Sequence, residues 1–237
     1  MNWLEPDIIC LQELGEACEL DDLELPQFTL FCTGPRQRGG GLATLVHSRI
    51  LSGEGTHLEE LKVPHAQMVR LRWPSGSRIS IINLHLCPGI STTGWTTVSQ
   101  LVAHHLSITG AHLLVVCGDF NEELATHRGR VARSMKASGP WASLFCPYPY
   151  GEPSNIVTRK NSISHREIDY MLLHRASPVL NVRKYLYPGV STHRALLCIM
   201  DVKPELPLPR PFQSRLQYSK APASDLKLLS SNASFCF

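Results

Sequence analysis

Apolar residues in this chain come in short runs set between turn residues, not in long helical stripes. Ile8–Leu11 is a compact apolar run opened by Pro6 and closed by Gln12 and Glu13, which predicts a buried strand whose end meets solvent. Phe28–Cys32 and Leu42–Val46 read as further strands. Val69–Trp73 and Arg78–Leu86 flank Pro74-Ser75-Gly76-Ser77, the arrangement of a hairpin. Thr97–Ile108 is the best helix candidate: Val98, Leu101, Val102 and Leu106 fall near helical spacing, and Gly110 lies where a helix stop would sit. Leu113–Cys117 then reads as a fully buried strand ending in Gly118-Asp119-Phe120-Asn121, and Ile168–Leu173, Val182–Tyr187 and Ala195–Val202 complete the set. Many strands and few helices predict an α/β fold of two packed mixed sheets with helices outside.

Beyond Val202 the pattern changes. Pro204, Pro207, Pro209 and Pro211 follow one another closely and the apolar periodicity stops. Residues 203–237 therefore read as an extended tail or linker, leaving 1–202 as the domain. No internal repeat is visible.

Composition narrows the classes. The chain has 237 residues, 43% of them hydrophobic, which excludes a disordered chain. No apolar run is long enough to span a membrane. Met1–Cys10 carries Glu5 and Asp7 and no basic residue, unlike a secretory signal, so an intracellular protein is expected. That expectation favours reduced thiols for Cys10, Cys18, Cys32, Cys87, Cys117, Cys146, Cys198 and Cys236, several of which sit in apolar runs. No Cys-x-x-Cys pair is present to build a zinc site of that spacing. The net charge of +3 permits an anionic partner without requiring one.

Candidate chemistry clusters at strand ends. Glu13, just past an apolar strand, suits a hard cation, which takes oxygen ligands, although an exposed Glu is also ordinary there. Asp119 and Asn121 are two apart; in an extended segment they share a face, where a carboxylate can deprotonate a water and an amide can donate to an anionic oxygen. The segment Gly118-Asp119-Phe120-Asn121 also fits a plain Asx turn. Asp169, in Arg166-Glu167-Ile168-Asp169-Tyr170, is a charge at the edge of a buried strand and needs a partner, either a nearby Arg such as Arg166 or a histidine that it orients. His193 sits at the mouth of the last apolar strand. Asn83 and His85 alternate with Leu84 and Leu86, so the polar pair shares one face, lining a site, facing solvent or sitting in a hydrogen-bonded core pocket.

Taken in order, Leu-Gln-Glu, Asn-x-His-Leu, Gly-Asp-Phe-Asn, Ile-Asp-Tyr and Ser-x-His resemble the endonuclease/exonuclease/phosphatase superfamily over about residues 6–202. The resemblance implies a four-layer sandwich of two mixed β-sheets with outer helices, and Mg²⁺-dependent phosphodiester hydrolysis, with Mn²⁺ as a substitute cation. It implies Glu13 as metal ligand, Asp119 as the residue activating water, and Asn121 as a contact to the scissile phosphate or that water. His193 becomes the phosphate-contacting histidine, Asp169 its orienting carboxylate, and His85 a further phosphate-side histidine, with Asn83 beside it at the substrate. Two departures stand out. Thr192 occupies the place of the family's Asp in its Ser-Asp-His motif, and only twelve residues precede Glu13, too few for the family's opening strand, so an N-terminally truncated domain is expected.

A nucleic-acid substrate is the expectation, with no membrane partner. Arg36 and Arg38, beside Gly39-Gly40-Gly41, could neutralise and approach a phosphate backbone, and a second basic segment runs from Thr158 to Arg166. The alternatives are a non-catalytic remnant that binds nucleic acid or protein, and a phosphatase of the same superfamily.

Overall fold

The computed structural model describes residues 6–14, 25–33, 41–52, 56–74, 76–107, 112–147, 167–174, 179–185, 195–200 and 234–236. Two six-stranded sheets pack face to face. The first, sheet A, contains β1 (Ile8–Leu14), β2 (Phe28–Cys32) and β3 (Gly41–His47), together with β10 (Val179–Tyr185), β11 (Ala195–Met200) and β12 (Ser234–Cys236). Its order is β10-β11-β12-β1-β3-β2. Sheet B contains β4 (His57–Val63), β5 (Ala66–Arg72), β6 (Arg78–His85), β7 (His112–Asp119), β8 (Leu144–Phe145) and β9 (Asp169–His174), in the order β4-β5-β6-β7-β9-β8. Both sheets are mixed: β11 and β12 run parallel in one, β6 and β7 in the other.

Alternation assigns the faces. Ile79 and Ile81 of β6, Leu113, Val115 and Cys117 of β7, and Met171 and Leu173 of β9 meet Cys10, Val46 and Leu196 of sheet A in the layer between the sheets. The intervening residues Ile82, Leu84, Leu114, Val116 and Leu172 face the other way. There they pack against Val98, Leu101 and Val102 of α2 (Thr92–Ser107) and Val131 and Ala132 of α3 (Arg130–Lys136). Each buried aliphatic side chain contributes roughly 1.5–3 kcal/mol against exposure, so the two faces of sheet B hold most of the core. The short α1 (Ser48–Leu51) sends Ile50 into the layer between the sheets. Leu11, Leu14, Ala43 and Leu45 form a third cluster on the outer face of sheet A. Among the described residues, helices cover only sheet B, giving three of the four expected layers.

The predicted hairpin forms as β5 and β6, closed by the Trp73 and Gly76 amides. The predicted helix exists but begins five residues earlier, because Ser91 Oγ accepts from the Gly94 amide at 3.0 Å and caps it. The largest difference lies at the C-terminus. Residues 234–236, read from sequence as part of a tail, form a strand in the middle of sheet A. Cys10, Leu11 and Gln12 pair with Cys236, Phe235 and Ser234, and β12 is the neighbour that links β1 to β11. A strand of three residues has too little pattern to be seen in sequence. Cys10, Cys32, Cys87, Cys117, Cys146 and Cys198 are free thiols, with Cys10 and Cys117 buried and Cys87 exposed.

Candidate active site

One end of the two sheets gathers the polar residues singled out above. In sheet B they arrive by plain alternation. The face of β6 that carries Ile79 and Ile81 continues to Asn83 and His85, and the face of β7 that carries Leu113, Val115 and Cys117 continues to Asp119. The parallel register sets His85 beside Asp119, and the antiparallel register of β7 with β9 sets Asp119 beside Asp169. Asp119 and Asp169 are each 1% exposed.

Close packing at this end depends on Gly118. Its φ is +135°, and a Cβ there would lie 1.9 Å from the Leu84 carbonyl oxygen. No other residue lets β7 lie this close to β6, which gives the Gly of Gly118-Asp119-Phe120-Asn121 a structural reason.

Glu13 arrives by a different route. Cys10 and Gln12 point between the sheets while Leu11 points outward, so strict alternation would send Glu13 outward with Leu11. Instead Gln12 pairs with Leu42 and Leu14 with Gly41, leaving Glu13 as one extra residue, a β-bulge, with φ 57°. The bulge turns Glu13 toward sheet B and returns Leu14 to the outer cluster. Gly41 makes the room: a Cβ on it would meet the Leu14 carbonyl oxygen at 2.5 Å. The glycine expected to approach a phosphate thus has a packing role, while Gly39, Gly40, Arg36 and Arg38 lie outside the described residues.

The result is a cluster drawn from both sheets. His85 Nε2 is 3.3 Å from Glu13 Oε1 and 4.0 Å from Asp119 Oδ2. One ligand atom from each of the three lies within 4.8 Å of the others. Two carboxylates and an imidazole fit a divalent cation: the oxygens suit Mg²⁺ or Mn²⁺, and the nitrogen is better matched by Mn²⁺. The donor set of Glu13, His85 and Asp119 therefore agrees with a divalent-cation site.

Asn121 departs from the extended geometry expected of it. Its φ is 50°, and its amide donates to Asp119 Oδ1 at 2.7 Å, so the segment is an Asx turn as well as part of the site. The chain leaves the strand because Phe120 is pulled into the helix-side core and its amide bonds the Ile168 carbonyl at 2.8 Å. Asn121 lines a concavity of about 150 Å³ whose walls include Leu86, Trp95 and Arg130. Nearby, Tyr170 accepts from the Leu124 amide and donates to the Glu167 carbonyl at 2.6 Å. Burial, reinforced by Glu167, pushes its hydroxyl far above the usual range, so it stays a neutral brace for this loop.

Asn83 does not line the site. It is fully buried, accepts from Gln12 Nε2 at 2.6 Å, and donates to the carbonyls of Leu11 and Ala43. The substrate contact expected of it is replaced by a tie between the sheets. His193, Thr192 and Arg166 lie outside the described residues, as does the basic segment 158–166. Sequence reasoning missed Gln12 as its partner; the signal available was a second amide immediately before Glu13.

Residues 2–213 match the model of the endonuclease/exonuclease/phosphatase family. No curated protein matches the chain by sequence. Among solved structures, the chain is similar to the AP endonuclease LMAP of Leishmania major at 14% identity and a TM-score of 0.55, over 80% of this chain and 76% of that one. It is similar to truncated Caenorhabditis elegans TDP2 at 15% identity and TM-score 0.52, covering 80% of this chain and 82% of that one. It is also similar to the 3′ phosphatase NExo from Neisseria, solved with a product DNA hairpin, at 14% identity and TM-score 0.53, covering 83% of this chain and 90% of that one. At these identities the neighbours speak for the fold, and the family match spans most of the sequence: the chain belongs to the endonuclease/exonuclease/phosphatase family.

Proposed function

We propose that this protein hydrolyses phosphodiester bonds in nucleic acid with a divalent cation, Mg²⁺ or Mn²⁺, held by Glu13 and Asp119. The observation that carries this reading is the convergence of Glu13, His85 and Asp119 from two different sheets to within 4.8 Å. A purely structural ion pair needs no third member, and Asp119, 1% exposed, is held in place with the Asn121 backbone N–H on one oxygen and His85 4.0 Å from the other.

The division of labour follows from the positions. A cation bound there supplies charge neutralisation on the phosphate oxygens and on the leaving oxygen. Asp119 orients the attacking water and takes its proton, its other oxygen accepting from the Asn121 backbone N–H. His85, 3.3 Å from Glu13, offers an imidazole N–H to a phosphoryl oxygen. Asn121, next to the concavity beside the site, contacts the scissile phosphate or the water. Asp169, paired in register with Asp119, orients His193. A nucleic-acid substrate is supported by the net charge of +3 and by the Arg36–Arg38 and 158–166 segments. The Neisseria neighbour, solved with a DNA product, agrees with it.

A nicking assay on supercoiled plasmid DNA tests the reading. The wild-type chain nicks with Mg²⁺ or Mn²⁺ and stops in EDTA, and Asp119→Ala loses about 10²–10⁴-fold in rate. A wild-type chain inert on plasmid, oligoadenylate and inositol polyphosphate alike would establish a non-catalytic domain instead. Turnover of inositol polyphosphate alone would establish a phosphatase.

A further inference from the structure

The cluster is assembled across an interface between sheets, so something must hold the sheets in register there. Apolar layers resist separation but not sliding, because hydrophobic contact is non-directional. Directional bonds between the sheets occur one step below the cluster. Gln12, adjacent in chain to Glu13, and Asn83, one pleat below His85, are both 0% exposed. Gln12 Nε2 donates to Asn83 Oδ1 at 2.6 Å. Asn83 Nδ2 donates to the carbonyls of Leu11 at 3.1 Å and Ala43 at 2.9 Å, residues that are themselves partners across β1 and β3. One side chain of sheet B is thereby fastened to two strands of sheet A, one pair short of Gln12–Leu42, the last regular pair before the bulge that turns Glu13 inward. A second bond, Thr44 Oγ1 to Gln67 Oε1 at 2.9 Å, continues the tie to the next strand pair.

We infer that Gln12 and Asn83 are a positioning pair that holds Glu13 in place against His85 and Asp119 and so sets the affinity of the site for its cation. The inference rests on the metal-centre reading above. The pair touches neither the cation nor substrate; it acts through Glu13. Buried amides bonded in this way resist sliding because any slide leaves a donor or acceptor unpaired in a low dielectric. Residues that orient metal ligands typically change metal affinity by about 10–100-fold when removed.

The test measures Mn²⁺ binding by calorimetry and the melting temperature of the metal-free protein, in the full chain. Asn83→Ala is expected to lower the melting temperature and raise the Kd for Mn²⁺ about tenfold or more. Ile81→Ala, in the same inter-sheet layer of the same strand, separates positioning from general loosening: its melting temperature falls through lost packing while its Kd stays at the wild-type value. Gln12→Ala, which leaves both carbonyl bonds of Asn83 in place, covers the case where Asn83→Ala fails to fold and gives a smaller rise in Kd. The exchanged pair, Gln12→Asn with Asn83→Gln, keeps the combined length and brings Kd back toward wild type. Wild-type Kd in both single variants, or an equal rise in Ile81→Ala, overturns the positioning role alone. A wild-type chain that binds no Mn²⁺ overturns the metal centre and this inference together.

Discussion

The two halves of the candidate site are built in opposite ways. His85, Asp119 and Asp169 stand at the ends of neighbouring strands that obey their alternation throughout, in the middle of a sheet whose other face is covered by helices. Glu13 stands on a bulge with φ 57° and reaches the cluster only because its strand breaks that alternation. On one side β1 pairs with β3; on the other, its neighbour is the three-residue β12. The sheet B half follows directly from strand geometry, whereas the sheet A half is a local exception supported by particular neighbours. A left-handed conformation at a non-glycine costs of the order of 1–2 kcal/mol, so the exception persists only while those neighbours hold it.

Substitutions on either side separate the two halves. The largest effect is expected for Gly118→Ala. Its Cβ would lie 1.9 Å from the Leu84 carbonyl oxygen, and backbone cannot yield as a side chain can. A loss of the order of 4 kcal/mol, a large part of a domain's stability, is expected, read as insoluble protein or a collapsed denaturation midpoint. Near-native stability would show that the β6–β7 approach is softer than its geometry. Ending the chain at 202 comes next. The strand pairing of Cys10–Gln12 with 234–236 is lost, costing roughly 2 kcal/mol at about 1 kcal/mol per net hydrogen bond. Mn²⁺ affinity falls with it, because the lost pairing ends next to Glu13. An unchanged midpoint would mean that β12 bears no weight. Gly41→Ala is expected to cost about 1–3 kcal/mol by overpacking against Leu14 and to weaken Mn²⁺ binding by disturbing the bulge. If it lowers stability but spares the metal, the bulge is held by something other than the Leu14–Gly41 contact.

The smallest effect concerns His47, at the start of α1, whose Nδ1 accepts from the Arg49 amide at 3.0 Å. Burial first, then the Arg49 charge, holds its pKa below 6.5, with Asp7 opposing. A depressed folded value means protonation favours the unfolded chain. The contribution is therefore present above about pH 6.5 and fades as pH falls through the lower folded value. His47→Asn, which keeps a capping side chain, is expected to lose less stability than the wild type between about pH 7.5 and about pH 5, in chemical denaturation.

How much of this was legible in sequence follows the same division. Alternation through Ile79, Ile81, Asn83 and His85 put the last two on one face, and that face is the inter-sheet one. The apolar run before Gly118 likewise led to Asp119. What pattern could not say is what each polar residue touches, so Asn83 was expected at substrate and is found tying the sheets. Glu13 was chosen for its place after a strand, but its inward direction depends on a bulge, which alternation by definition does not record. Edge strand β4, His57–Val63, carries Glu59, Glu60 and Lys62 and is largely exposed, so it left no apolar signature. Helix α3 is only seven residues and is held at its start by Glu122 accepting from the Arg130 and Ala132 amides, a contact set from outside the helix.

The claim that Glu13 serves the cation while Asp119 also serves the water is most directly tested by one comparison. Nicking rate is measured against Mn²⁺ concentration for the wild type, Glu13→Gln and Asp119→Asn. Raised Mn²⁺ is expected to restore much of the Glu13→Gln rate, since only affinity was lost, and to leave Asp119→Asn inactive, since its proton acceptor is gone. Equal rescue of both variants, or a wild-type rate retained by either, would contradict it.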